Sequence, residues 1–160
     1  MQRFKNIPIH LFYLAILLLA GIGFIGMRRA AAQEPAGDPA PKPGNSLDYD
    51  FFKAKVEPVF LAKRTGHARC VSCHSSNNSP LRLQPLSPGA TSWDDAQSRL
   101  NFESVQKVVV PGNLKSPLLV HPLAEAAGGD FFHSGGKHFN SQDDPEWQTL
   151  KAWIFGAKAP

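Results

Sequence analysis

The sequence predicts a mainly α-helical domain. Phe52, Val56 and Phe60 recur four residues apart, which places them on one apolar face of a helix. Two further helix starts are indicated where a polar N-capping residue stands directly before proline, at Ser116-Pro117 and Asp144-Pro145. No run of alternating apolar and polar residues indicates a strand. We therefore expect helices packed around one core.

The predicted helices have recognisable ends. The first begins near residues 46–48, and Pro58 is expected to kink or end it. Residues 92–95, Ser-Trp-Asp-Asp, are similar to a capping box with aspartate in place of glutamate, and the helix that they open should run to about Val109. The last helix should stop at Gly156, because glycine is the usual residue just beyond a helix end.

Five consecutive residues, Cys70-Val71-Ser72-Cys73-His74, form the C-x-x-C-H pattern that attaches a c-type haem. In such a site each thiol forms a thioether to a haem vinyl group, and the histidine binds the iron from the proximal side. A thioredoxin-like C-x-x-C requires a βαβ context, and a structural zinc site requires a full tetrahedral set of ligands; neither is indicated here. A disulfide between the cysteines is the other alternative, but it gives His74 no role. We predict one covalent haem c, held by Cys70, Cys73 and His74.

The N-terminal part of the chain predicts export. Basic residues at the start precede an uncharged, almost wholly apolar stretch at 11–27, which indicates a signal peptide or a membrane anchor over residues 1–32. Residues 33–46 are rich in proline, alanine and glycine and predict an extended tether. Both the cleaved and the anchored form place residues 47–160 on the periplasmic side of a bacterial membrane, where c-type haem is attached.

The net positive charge of the chain lies in this predicted leader. Of the 17 basic residues, 4 lie before residue 33, and no acidic residue does, so residues 33–160 carry 13 basic and 13 acidic side chains. A balanced domain has no basic patch for nucleic acid, and we expect no nucleic-acid partner. Paired aspartates at 94–95 and 143–144 are typical of helix starts, so no catalytic residue is predicted.

Beyond the haem motif, three other segments carry a family resemblance. They are the apolar helix at 52–60, the pattern V-P-G-x3-S-x-L-L at 110–119, and the closing L-x2-W-I-x-G-A at 150–157. Over residues 47–158 the chain resembles the planctomycete-type branch of single-haem cytochrome c domains. The resemblance implies a class I cytochrome c-like fold, with crossing N- and C-terminal helices and an exposed haem edge.

Such domains commonly supply a methionine as the distal iron ligand, and this chain departs from that pattern. Its 2 methionines, Met1 and Met27, both lie in the export segment. A histidine must replace methionine, or the distal position is open. Of the 6 histidines, His10 belongs to the export segment and His67 is expected on the proximal side near Cys70. The candidates that remain are His121, His133 and His138.

His133 is the preferred distal candidate. It lies in a glycine-flanked loop at 128–138, where the methionine of the family-like pattern would fall. Glycine lets the main chain approach a porphyrin closely, and Phe131 and Phe132 are expected to wall the distal face.

The expected function is one-electron transfer without chemistry on a substrate. A second imidazole in place of a thioether removes the ligand that raises cytochrome c potentials, so we expect a lower potential than for a His/Met homologue. The expected partners are redox proteins, among them a membrane respiratory or photosynthetic complex, and the membrane itself if the leader is retained. The alternative is a haem enzyme or a gas or peroxide sensor with an open or labile distal position.

Overall fold

The computed structural model describes residues 46–76 and 79–160. The predicted signal or anchor at 1–32 lies outside these residues, as does the predicted tether at 33–46 except for Ser46. In the part of the chain that is described, no helix is both long enough and apolar enough to cross a membrane.

The described chain is mainly α-helical, as the sequence predicts. Between residues 46 and 160, leaving out 77 and 78, the only β-type pairing is an isolated bridge between Leu123 and Phe139. The helical elements are α1 (Tyr49–Phe51), a π-helical segment (Phe52–Val56), α2 (Glu57–Leu61), α3 (Cys70–His74), α4 (Asp95–Gln106), α5 (Pro117–Val120), a 3₁₀ turn (Glu125–Ala127) and α6 (Pro145–Ile154).

The first helix passes Pro58 without ending there. Asp48 caps it by accepting a hydrogen bond from the Phe51 N–H at 2.7 Å. The turn ahead of the proline is π-helical, and the Glu57 N–H bonds five residues back to the Phe52 carbonyl. Proline has no N–H with which to continue the ladder, yet the helix continues to Leu61. The helix therefore does not end at Pro58, and the turn ahead of the proline is widened.

The start of α4 differs by two residues from the predicted capping box. Asp94 is the N-cap, its carboxylate accepts from the Gln97 N–H at 2.8 Å, and the Gln97 side chain accepts from the Asp94 N–H at 3.2 Å. The helix ends at Gln106, earlier than the predicted Val109. The buried side of α4 is mostly polar, since Asn101 and Ser104 accept hydrogen bonds from the main chain at residues 84 and 82, with Val105 as its buried apolar residue.

The last helix packs on the first. Trp153 is fully buried, its ring centroid lies 5.3 Å from that of Phe52, and its indole N–H donates to the Asp48 carbonyl at 2.8 Å. Trp147 is buried as well and donates to the Leu119 carbonyl at 3.1 Å, which ties α6 to α5. The two tryptophans are thus core residues that also satisfy main-chain carbonyls at helix junctions.

The two predicted proline-flanked starts are confirmed. Asp144 caps α6 by accepting from the N–H groups of Glu146 and Trp147. Ser116 precedes α5, but its buried hydroxyl does not cap that helix; it accepts from the Val110 N–H and donates to the Val110 carbonyl, both at 2.8 Å. Gly156 ends α6 with a φ of 93°, as predicted.

Candidate functional site

The C-x-x-C-H residues form a short helix of their own, α3, which packs against α2. Cys70 and Cys73 both carry free thiols. Cys70, Cys73 and His74 line one cavity of about 270 Å³. The three residues predicted to hold a haem therefore face the same space.

The rest of the cavity wall is mostly apolar. It is drawn from α2, α5, α6 and the chain around residue 139, so the first and last helices both contribute to it. A wall of this kind excludes water and suits a large apolar ligand, with polar groups at a few fixed points. The apolar side chains of this wall are Val59, Phe60, Leu81, Val108, Leu118, Phe132, Phe139 and Leu150, with Pro80, Pro117 and Pro122.

His74 is oriented by its other ring nitrogen. Nδ1 lies 3.0 Å from the Leu81 carbonyl oxygen and 3.0 Å from the Ser79 hydroxyl. A histidine that binds a metal usually donates the non-ligating N–H to such a carbonyl, which fixes the tautomer. Burial lowers the pKa of His74, and this favours the neutral imidazole that binds metals. Nε2 is thus the nitrogen available to a ligand in the cavity.

His133 also lines the cavity, and its Nδ1 is likewise held by a main-chain carbonyl. Its Nδ1 lies 2.6 Å from the Gly136 carbonyl oxygen, which again leaves Nε2 as the available nitrogen. The ring centroids of His74 and His133 are 6.1 Å apart, and the ring planes differ by 23°. His133 is the distal candidate that the sequence favours, and in the structure it lines the same cavity as His74.

The separation of these two rings suits a shared metal. A metal–imidazole bond is about 2 Å long and a ring nitrogen lies about 1 Å from its centroid, so two imidazoles on opposite sides of one metal have centroids roughly 6 Å apart. The observed 6.1 Å matches that spacing. Offset contact between two rings also gives centroid distances of about 4.5–7 Å, so the spacing is compatible with a shared metal and not specific to it.

His138 lines the same cavity but is held differently. The residue is 8% exposed, and its Nδ1 is buried without a hydrogen-bond partner. Its ring centroid lies 5.8 Å from that of His133. Burial first, and then the positive charge of Arg64, lower the pKa of His138 to about 4. The ring is therefore neutral at neutral pH.

His121, the third candidate, is engaged at the rim. Its Nδ1 pairs with the Asp130 carboxylate, and its side chain is 51% exposed. His121 lines the cavity, but an exposed ring that faces a carboxylate is less suited to a closed haem pocket than His133.

His67, which the sequence predicts on the proximal side near Cys70, is a neighbour of His138. Its ring centroid lies 5.1 Å from that of His138, so it belongs to the cluster around the 133–138 loop. A Cβ on Gly136 would lie 3.4 Å from the Nδ1 of His67. Only the three-dimensional path of residues 62–69 reveals this proximity, because His67 and His138 are far apart in sequence.

The expected aromatic wall is half right. Phe132 lines the cavity although the residue is 69% exposed, whereas Phe131 is 86% exposed and is absent from the lining. Only one of the two phenylalanines therefore contributes to the cavity wall.

The residues present fit a covalently attached haem. Two free thiols on one short helix, an apolar wall and two imidazoles with their Nδ1 atoms held by carbonyls are the groups that such a cofactor requires. Within residues 46–76 and 79–160, no group of three or more His, Cys, Asp or Glu side chains could hold a metal ion by itself. No family model, curated protein or solved structure matches the chain.

Proposed function

We propose that the chain is an exported, single-haem c-type cytochrome with a class I-like fold that transfers one electron at a time. The observation that carries this proposal is the pair His74 and His133. One follows the haem-binding cysteines, the other stands 6.1 Å away across the cavity, and each has Nδ1 held by a main-chain carbonyl.

In this proposal Cys70 and Cys73 hold the haem by thioethers, and Nε2 of His74 and of His133 are the proximal and distal ligands. The bound haem supplies an iron that cycles between Fe(III) and Fe(II). The Leu81 and Gly136 carbonyls hold the imidazoles in one tautomer, and the apolar wall keeps water from the iron. Two imidazole ligands favour a lower potential than a His/Met pair.

The class I-like fold is supported by the packing of the chain ends. The first helix and α6 meet through Phe52 and Trp153, and the haem-binding helix α3 packs on α2. A contact between the first and last helices is compatible with the crossing of N- and C-terminal helices that the family resemblance implies.

The proposal includes the location and the partners predicted from the sequence. The domain acts on the periplasmic side, free or anchored by residues 1–32, and exchanges electrons with redox proteins such as a membrane respiratory or photosynthetic complex. Fractionation of the producing cells with antibody detection tests the location, and a cytoplasmic protein would contradict it.

The direct test is covalent haem attachment. We expect the full chain, produced in a bacterium with c-type haem maturation, to keep its haem on a denaturing gel. Cys70→Ser combined with Cys73→Ser should lose the haem stain, because neither thioether forms. Ser72→Ala is the matched control, since Ser72 is exposed between the cysteines, and it should stain like the wild type. A wild-type protein without covalent haem would overturn the proposal.

The second candidate function is a sensor or enzyme with a labile distal position. The observation that favours it is that His133 sits on a loop rather than on a helix. Carbon monoxide distinguishes the two functions. Slow and incomplete binding to the reduced wild-type protein supports the electron carrier, and rapid stoichiometric binding supports the sensor.

A further inference from the structure

Four imidazoles line the cavity, two more than a six-coordinate haem requires: His121, which is exposed at the rim, and the buried His138. His138 lines it, is 8% exposed, and has a buried Nδ1 with no hydrogen-bond partner. No hydrogen bond therefore fixes the His138 ring through Nδ1, in contrast to the rings of His74 and His133. Simple packing would be served as well by an apolar side chain.

The main chain at His138 is fixed to the core. The N–H groups of His138 and Phe139 both donate to the Pro122 carbonyl, at 2.7 and 3.0 Å. The Ala124 N–H donates to the Phe139 carbonyl at 2.8 Å, beside the bridge between Leu123 and Phe139. Any rearrangement of His138 is therefore confined to its side chain.

The main chain at His133 is held by fewer contacts. Its recorded hydrogen bonds are local: the Gly136 N–H donates to the His133 carbonyl at 2.9 Å, and the Gly136 carbonyl lies beside the His133 Nδ1. The preceding residues Phe131 and Phe132 are among the most exposed large apolar side chains of the described chain. This is the pattern of a loop whose opening costs little relative to the core.

Gly135 lies next to the rings of both His133 and His138. A Cβ on Gly135 would lie 3.4 Å from Cε1 of His133 and 3.8 Å from Nε2 of His138. One methyl group would thus touch both imidazoles. Once His133 moves away, the space that it leaves adjoins the Nε2 atom of His138.

We infer that His138 is a standby distal ligand, which takes the iron when His133 and its loop swing out. The inference rests on the proposed function and deepens it. His133 is the resting ligand because its ring is the one opposite His74 at 6.1 Å, and His138 is the reserve ligand on the fixed main chain. The iron keeps two imidazoles in both arrangements, while the loop and the His138 side chain change place.

The test uses the haem-loaded full chain and reads the iron spin state by EPR and absorption. Wild type and His138→Ala should both be low-spin, with the same g values. His133→Ala should remain low-spin with shifted g values, because His138 replaces the lost ligand. The double variant His133→Ala/His138→Ala should be high-spin. His133→Leu repeats the single replacement with an apolar side chain in the same place, which guards against misfolding of the alanine variant.

Carbon monoxide affinity gives a second readout. If His138 occupies the iron about nine-tenths of the time in reduced His133→Ala, the apparent affinity of that variant is about tenfold weaker than that of the double variant. His121→Ala in the His133→Ala background is the matched control, because His121 also lines the cavity. It should leave the affinity of His133→Ala unchanged.

Three results would overturn the inference. The first is a high-spin His133→Ala whose carbon monoxide affinity equals that of the double variant. The second is a double variant that stays low-spin, which would mean that another residue binds. The third is a change of g values in His138→Ala, which would make His138 the resting ligand. The cysteine variants and the wild-type spectrum test the proposed function separately, so the two failures are distinguishable.

Discussion

The cavity has a helical face around His74 and a loop face around His133, and the two faces hold their histidines in different ways. On the helical face, His74 belongs to α3, and its partners Ser79 and Leu81 lie within seven residues of it. On the loop face, His133 has one close partner, Gly136, and the loop is placed by groups from elsewhere in the chain. One of these is the carbonyl of His121, which accepts from the ammonium of Lys137 in the loop; the same ammonium also donates to the Asp130 carbonyl.

This difference separates a ligand carried on a helix from one carried on a loop, and the loop is tied to the chain before it through Asp130 and Lys137. A change in the loop should move or release His133 while leaving His74 in place. A change beneath α3 should affect the helical face and leave the loop contacts intact. Three substitutions test this contrast, in order of decreasing expected effect.

The largest effect is expected for Gly129→Ala on the loop face. A Cβ at this position would overlap the main-chain carbonyl of Leu123, which cannot move aside like a flexible side chain. Overpacking against the main chain should cost about 3 kcal/mol of unfolding free energy. Chemical denaturation measures it as a lower midpoint.

Gly135→Ala is the matched control for that substitution. Its Cβ would meet only ordinary contacts, at 3.4 Å and beyond, so the unfolding free energy should change by less than about 0.5 kcal/mol. Equal losses of unfolding free energy in the two variants would show that the whole loop is intolerant of a side chain. That result would contradict a specific role for Gly129.

A smaller and local effect is expected for Lys137→Met. The substitution keeps an unbranched apolar stem and removes the ammonium that bonds to the His121 and Asp130 carbonyls. Loss of these bonds at a partly exposed site should cost about 1 kcal/mol. Amide hydrogen exchange should quicken in residues 128–138 and stay unchanged in α3. Equal acceleration in α3 would contradict the separation of the two faces.

The smallest effect is a pH dependence on the helical face. Glu57 is buried at the start of α2, and burial raises the pKa of its carboxyl above the ordinary 4.5, against the hydrogen bonds of Ser98 and Asn101. The folded protein therefore keeps this proton at a pH where the unfolded chain has lost it. The resulting stabilisation is full below pH 4.5 and is lost as the pH rises through the folded pKa.

Glu57→Gln should remove that dependence. Between pH 4 and pH 7 the unfolding free energy of the wild type, relative to the variant, should fall as the pH rises. Thermal or urea unfolding at several pH values provides the measurement. A relative rise would reverse the sign and show that the carboxylate, rather than the acid, is the favoured form.

The sequence predicted the helical face better than the loop face. The cysteines and His74 are neighbours in one motif, and the starts at Ser116 and Asp144 depend on adjacent residues, so local rules suffice for them. The α4 cap was predicted two residues early because Ser92 and Asp95 have the spacing of a capping box, whereas Asp94 forms the reciprocal hydrogen bonds with Gln97. Both errors of α4 amount to two or three residues at a helix end.

The loop face required the folded chain. His133 was the preferred candidate because of its glycine-rich surroundings, but neither the carbonyl of Gly136 nor the 6.1 Å spacing from His74 can be read from the sequence. His67 is expected on the proximal side because it closely precedes Cys70, and its 5.1 Å approach to the ring of His138 cannot be read from the sequence either. The direction that the chain takes after a turn depends on tertiary contacts, which the local sequence does not specify.

The π-helical segment at Phe52–Val56 has a consequence for the alignment of the first helix. A step of four residues along an α-helix rotates a side chain by about 40° more than one full turn, so residues four apart drift around the axis. A π-helical turn takes more residues, and the same step then falls short of a full turn. The step from Phe52 to Val56 crosses the π-helical segment and the step from Val56 to Phe60 crosses the α-helical one, so the two rotations oppose each other. The wide turn acts as a phase correction that keeps all three apolar side chains directed into the core, where each is at most 2% exposed.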